Sequence, residues 1–330
     1  MRISPKKSQD FLGTPMDSKN LTGSPRKSCD FRGAEIALST MWSQRYNHMD
    51  RFVRDVQEFG FSQVELNSIL TPPKLGELLK LGVKVSSVHC PCPVTTSRLG
   101  IPAASLQLSS LDEEERGEAL RFAQGTIELA SRVGAEAVVI HAGKVKLDFG
   151  LEDKLHWLYK HRNSEEFEKA RQKLIQERGS RAAPYLEAAR RSLLQLARFA
   201  QGWGVRLGLE TRFYFYEIPQ LEEMEVLLQE LPPDVVGYWH DVGHAEVKAR
   251  LGLTPHEEWF IRFRDRLIGV HLHDVLGIQD HRAPGTGDVD WDFIARNTPS
   301  SAIKVCEIGE WNTWEACAHA VPFLKSHGVI

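Results

Sequence analysis

Thirteen histidines are spread along the 330-residue chain, and five of them close or follow short apolar runs in the company of acids. VSSVH ends on His89, AVVIH ends on His141, and GVHLHD carries His271, His273 and Asp274. HDVGHA supplies Asp241 and His244, and QDHR supplies Asp280, His281 and Arg282. RLGLE and IKVCE end on Glu210 and Glu307. Imidazole and carboxylate donors delivered together at the ends of buried strands are what a divalent-metal site needs. One such histidine is ordinarily structural. Five of thirteen (His89, His141, His244, His271 and His281), joined by Glu210, Asp241 and Glu307, make a shared metal site the better reading. Nitrogen and carboxylate donors without a clear thiolate suit Zn, Mn, Co or Fe better than Ca or Mg.

Other residues near the cluster have two readings each. His273 shares strand parity with His271, so it is a ligand, lines the mouth or bonds a neighbour. In Cys90-Pro91-Cys92, Cys90 should point away from His89, which leaves Cys92 as a weak thiolate candidate. Gly285-Thr286-Gly287 either grips a phosphate through backbone N–H groups or is a plain turn. Trp42 and Trp239 either line a sugar pocket or belong to the core.

The elements that must position these groups alternate along the chain. Predicted strands are Glu35–Met41, Gln63–Leu66, Lys84–His89, Ala137–His141, Arg206–Glu210, Val235–His240, Leu267–His271 and Ile303–Glu307. Most are short and rich in Val, Ile and Leu, as strands buried on both faces should be. Between them lie amphipathic helical patterns, such as Leu186, Ala189, Leu193, Ala197 and Ala200. Eight β-then-α units predict a (β/α)8 TIM barrel over 34–330, in preference to an open doubly wound sheet, and no G-x-G-x-x-G follows a strand. The connection from Gly143 to Gly204 holds about sixty residues, roughly twice what a loop and a helix need. The surplus, 145–183, reads as a helical insertion after strand 4, on the catalytic face, where it would serve as a lid, an interface element or passive decoration.

Composition narrows the class. The chain is 42% hydrophobic with a net charge of −3, and no apolar run reaches the ~18 residues of a membrane span. SPKKSQDFLG (4–13) returns as SPRKSCDFRG (24–33), in a basic, Ser/Pro/Gly-rich tail over 1–33 that is expected to be disordered. Seven Lys/Arg against three Asp in that tail leave the rest of the chain acidic, which argues against a nucleic-acid partner. Five cysteines without disulfide spacing fit a reducing cytoplasm.

Over residues 35–330 the chain resembles the xylose isomerase-like TIM barrels, which unite sugar isomerases and epimerases with endonuclease IV-type AP endonucleases. The resemblance rests on VHCP (His89), IHAG (His141), LETR (Glu210), HDVGHA (Asp241, His244), GVHLHD (His271), HRAPGTGDVDW (His281) and CEI (Glu307), in that order. For the epimerase branch it implies one divalent metal held by Glu210, Asp241, His271 and Glu307. For the endonuclease branch it implies three zinc ions, using also His89, His141, His244, His281 and an aspartate two residues before the last. That position is Gln279 here, with Asp280 one step away.

The expected activity is therefore metal-dependent isomerisation or epimerisation of a sugar, sugar phosphate or polyol. Glu210 and Glu307 would move the proton, with substrate contacts from His244, Arg282, Trp42 and His273. A zinc phosphodiesterase acting on abasic DNA is the alternative. The expected partner is a small carbohydrate, with self-association left open.

Overall fold

The computed structural model describes residues 35–330; the repeat-bearing tail, 1–33, lies outside the described residues. Eight parallel strands close into a barrel: β1 Ala37–Ser39, β2 Gln63–Leu66, β3 Val85–His89, β4 Ala137–Ile140, β5 Arg206–Glu210, β6 Val236–Asp241, β7 Leu267–Leu272 and β8 Ile303–Cys306. Each neighbours the next in sequence, and β8 pairs with β1. This is the predicted (β/α)8 TIM barrel. β1 is the shortest strand because Thr40–Arg45 winds into a 3-10 turn, capped by the Ser39 hydroxyl.

The barrel interior is filled unevenly. Trp239 projects inward from β6 into a cluster with Ala37, Ala137, Val139 and Val305. Its ring needs the glycines beside it: a Cβ at Gly269 would lie 2.1 Å from the indole and one at Gly208 2.7 Å. His271 sits 5.2 Å from the same ring, so Trp239 is the floor on which the polar centre rests.

The surplus after β4 is no separate domain. A helix, Gly150–Trp157, and a 3-10 turn lead into one 39-residue helix, Glu165–Trp203, whose second half is the barrel's own outer helix. Ser164 caps its start and Gly204, in the left-handed conformation, ends it. Leu155, Leu158, Phe167 and Leu174 are buried. Glu152 accepts the backbone N–H groups of Phe215 (2.5 Å) and Tyr216 (3.1 Å) in the loop after β5. Arg178 makes a buried two-point contact with Glu223, at 2.8 and 2.7 Å. These bonds fasten the insertion to its neighbours as a wall.

Two small ladders at the mouth escape the sequence pattern because each is only two to four residues long. Gly143–Lys144 pairs with Glu217–Ile218, and Asp274–Leu276 with Gln279–Arg282.

Candidate metal centre

Adjacent barrel strands bring the acids and histidines to one height. Asp241 on β6 and His271 on β7 are register partners, and Glu307 directly follows β8, beside Leu272. Nδ1 of His271 faces three carboxylates: Glu210 Oε1 at 2.8 Å, Glu307 Oε2 at 3.1 Å and Asp241 Oδ2 at 3.4 Å. All four side chains are buried.

The second ring nitrogen decides the tautomer. Nε2 lies 3.2 Å from both oxygens of Glu65, a group missed in the sequence. Nε2 carries the proton shared with Glu65, and Nδ1, which the three acids surround, would give up its own proton and offer its lone pair to a cation bound among them. A histidine oriented by a carboxylate through its far nitrogen is the usual arrangement behind a metal ligand. The Ser87 hydroxyl donates to Glu65 at 2.8 Å and fixes it in turn.

The donors fit a divalent cation for a further reason. Asp241 Oδ2 is buried without a hydrogen-bond partner, although Oδ1 of the same carboxylate accepts from His244 N–H at 2.7 Å and His273 Nε2 at 2.9 Å. Asn67 donates to Glu307 Oε1 at 2.8 Å, and Arg212 donates to Glu210 Oε2 at 2.5 Å. Each acid is thus held by one oxygen and turns the other toward Nδ1.

The electrostatics agree. Burial alone would raise Glu210, but the charges of His141 and Arg212 outweigh it and hold the carboxyl well below its usual range. Asp241 is likewise lowered, burial being outweighed by His244 and His273. Burial would lower His271, but Glu307 and Glu65 more than offset it and raise the imidazole well above its usual value. The pocket calls for positive charge.

Two further donor groups flank this one. His141 Nε2 lies 2.6 Å from Glu210 Oε2, and His89 Nε2 lies 3.9 Å from the same oxygen. Burial, then the charge of His141, push His89 down to about 3, so it stays neutral, with a buried Nδ1 that has no partner. On the other side, His244 Nδ1 donates to the Thr211 carbonyl at 2.9 Å, leaving Nε2 as the ligand nitrogen. Asp280 Oδ2 lies 3.7 Å from that Nε2 and 3.0 Å from His281 Nδ1. Asp280, and not Gln279, is thus the side chain beside His244 and His281. His281 adopts the left-handed conformation, with φ 52°, beside it in the ladder.

Two expected substrate contacts, His273 and Trp42, are otherwise engaged, and two open readings close on the plainer alternative. His273 is no substrate contact: it is buried, its Nδ1 accepts the His281 N–H at 2.8 Å, and its Nε2 therefore donates to Asp241. Trp42 is a core residue of the 3-10 turn, its indole N–H 3.1 Å from the Tyr46 hydroxyl. The glycine turn grips no phosphate, because the Asp274 carboxylate already takes the N–H groups of Gly285 (2.9 Å) and Val289 (3.1 Å) and the Trp291 indole (3.2 Å). Cys92 is buried with its thiol pushed up by burial, which removes it as a thiolate ligand. Arg282 is half-buried, 5.5 Å from the Trp311 ring, and donates to the Thr286 carbonyl and to Gln279.

Known proteins with this architecture carry comparable folds. An uncharacterized protein of Methanocaldococcus jannaschii is 24% identical over 216 residues, covering 64% of this chain and 69% of that protein. A putative xylose isomerase from Rhodospirillum rubrum superposes with a TM-score of 0.65 at 16% identity, over 89% of this chain and 99% of the other. The 3-keto-D-glucoside 4-epimerase of E. coli superposes with a TM-score of 0.61 at 18% identity, over 88% and 99%. At these identities the likeness is one of fold. The sequence profile of the xylose isomerase-like TIM barrels matches residues 53–297, most of the barrel and every metal-centre donor named above except Glu307. The chain belongs to the xylose isomerase-like TIM barrel family.

Proposed function

We propose that the chain is a metal-dependent isomerase or epimerase of a sugar, sugar phosphate or polyol. The observation that carries this reading is the convergence of Glu210, Asp241 and Glu307 on Nδ1 of His271, with Asp241 Oδ2 lacking a hydrogen-bond partner. These four residues would hold one divalent ion, of Zn, Mn, Co or Fe. Such an ion would supply the positive charge that polarises a sugar carbonyl and acidifies the neighbouring C–H.

The chain's own groups do the rest. Glu210 and Glu307 are both held ionised at the centre, so either can accept the carbon-bound proton and, once protonated by it, return that proton to the same or the adjacent carbon. Arg212 and Asn67 fix their outer oxygens and so set the angle of approach. His244 and Arg282 are the proposed contacts for substrate hydroxyls. The epimerase activity in the name of the E. coli relative supports the choice of substrate class.

A second reading, zinc-dependent phosphodiester cleavage, is favoured by one observation: Asp280, one residue from Gln279, stands 3.7 Å from His244 Nε2 and 3.0 Å from His281 Nδ1. Metal analysis with parallel assays separates the two. We expect one tightly held divalent ion per chain, interconversion of at least one ketose or aldose in a sugar panel, and no cleavage of abasic DNA. Three zinc ions with metal-dependent nicking of abasic DNA would reverse the choice.

A further inference from the structure

Beside the metal centre a cavity of about 220 Å³ opens between the loop after β3 and the ladder joining Gly143–Lys144 to Glu217–Ile218. His141 and Arg212 form its inner wall, and both touch Oε2 of Glu210. The cavity therefore begins where the metal centre ends. A water needs only ~10–15 Å³ of such space, so there is room for a phosphate and the carbons that carry it.

Lys144 is the unusual group in this cavity. It stands directly across the ladder from Glu217, a position where opposite charges normally pair. Here they do not. Glu217 Oε1 accepts from Arg212 at 2.8 and 3.2 Å, and Oε2 accepts the Tyr214 N–H at 2.9 Å. Lys144 is left 5.2 Å from the Phe149 ring, with no ion pair among the described residues.

Its backbone is pinned as well. The Ser109 hydroxyl donates to the Lys144 carbonyl at 2.9 Å and accepts its N–H at 2.8 Å. Gly143, at φ 123°, permits that approach, since a Cβ there would fall 2.2 Å from Ser109 Oγ. A half-buried lysine on a pinned backbone, lining a cavity with its natural counter-charge engaged elsewhere, is a site for an anion. Arg282 is the weaker candidate, because its guanidinium already lies against Trp311 and donates to Thr286 and Gln279.

We infer that this cavity receives a phosphate monoester carried by the substrate, with Lys144 as its counter-ion, so that the substrates are sugar phosphates. The inference rests on the carbohydrate reading and narrows it. Tyr214 and Tyr216 also line the cavity, as does Gln107, whose amide nitrogen already donates to the Ser105 carbonyl at 2.8 Å and keeps its second N–H. Their donors suit the three terminal oxygens of a phosphate better than the two of a carboxylate.

The test is calorimetric titration of inorganic phosphate into the full-length protein carrying its metal. Saturable binding should weaken at least tenfold in Lys144→Gln and survive in Lys144→Arg, with unchanged melting temperatures showing that both variants fold. Binding lost in Asp241→Asn but untouched in Lys144→Gln would put the anion on the metal and overturn the inference. Loss confined to Arg282→Gln, or acetate bound more tightly than phosphate, would overturn it too. Because the titration reads binding without turnover, an inactive sugar panel leaves its result independent.

Discussion

At the scale of single residues, Glu65 and His271 set the chemistry of the centre. Glu65 holds the proton on Nε2, so Nδ1 is the nitrogen that a cation bound among the three acids would take. Replacing such an outer partner typically costs 10–100-fold in metal affinity. Glu65→Gln is therefore expected to weaken metal retention by about that factor while the fold persists, as read by competition with a chelator. Unchanged affinity would show that the tautomer is set elsewhere.

The proposed ligands could be picked out of the sequence because each ends an apolar run, where a polar residue faces the mouth. Glu65 was not. It lies at the third position of β2, QVEL, inside the barrel wall, and only the register beside Ser87 reveals that it faces inward toward His271. Arg212 and Asn67 were equally silent, since their value lies in what they hold. His273 and Trp42 were misjudged because strand parity and strand ends do not say which ring nitrogen or indole N–H is already taken.

At the scale of elements, the insertion and the helix Val242–Arg250 meet over buried charge. Lys248, on that helix, is fully buried, its Nζ lacks a hydrogen-bond partner, and it lies 5.2 Å from the Trp259 ring. Burial pushes its ammonium down to about 7, against the opposing pull of Glu217 and Glu152; the nearby cations Arg178 and Arg212 lower it further. Glu152, under the insertion, is pushed up to about 7 by burial, against the N–H groups of Phe215 and Tyr216.

For Lys248 the sign is definite. Between its folded value near 7 and the unfolded value of ~10.4, the unfolded chain binds the extra proton, so stability rises with pH through that window. Lys248→Met should remove that rise and raise the melting temperature near neutral pH by about 2–4 °C, because an apolar side chain of similar length replaces an unpaired buried cation. Melting curves from about pH 7.5 to about 9.5 compare the two slopes. Parallel slopes in the two proteins would mean that Lys248 stays protonated in the fold. The sequence marked the insertion by its excess length, but not its fastening. Glu152 read as one acid among many on a charged helix, and its role depends on the loop after β5, more than sixty residues away.

At the scale of the molecule, closure of the barrel is what makes the centre possible. It brings residues from β3 (His89) to the far side of β8 (Glu307) onto one surface, and it buries the acids there. The alternation of short Val/Ile/Leu-rich runs with amphipathic segments made this architecture readable, and the eight strands fall within a few residues of their predicted ends. The two mouth ladders were not readable, because pairs of two to four residues carry no period. The acidic net charge of the chain, −3 overall, disfavours a polyanionic partner across the whole surface. Lys144, which has no ion pair among the described residues, favours one small anion.

The central claim is that Glu210 and Glu307 move a carbon-bound proton beside a bound divalent ion. The most direct measurement is proton NMR of an active ketose or aldose, turned over in deuterium oxide by the wild-type protein and by Glu307→Gln. The account predicts deuterium at the carbon next to the carbonyl in the wild-type reaction, and turnover reduced at least a hundredfold in the variant, an acid–base loss of ordinary size. Turnover without any exchange of that hydrogen, or full activity in Glu307→Gln, would contradict it.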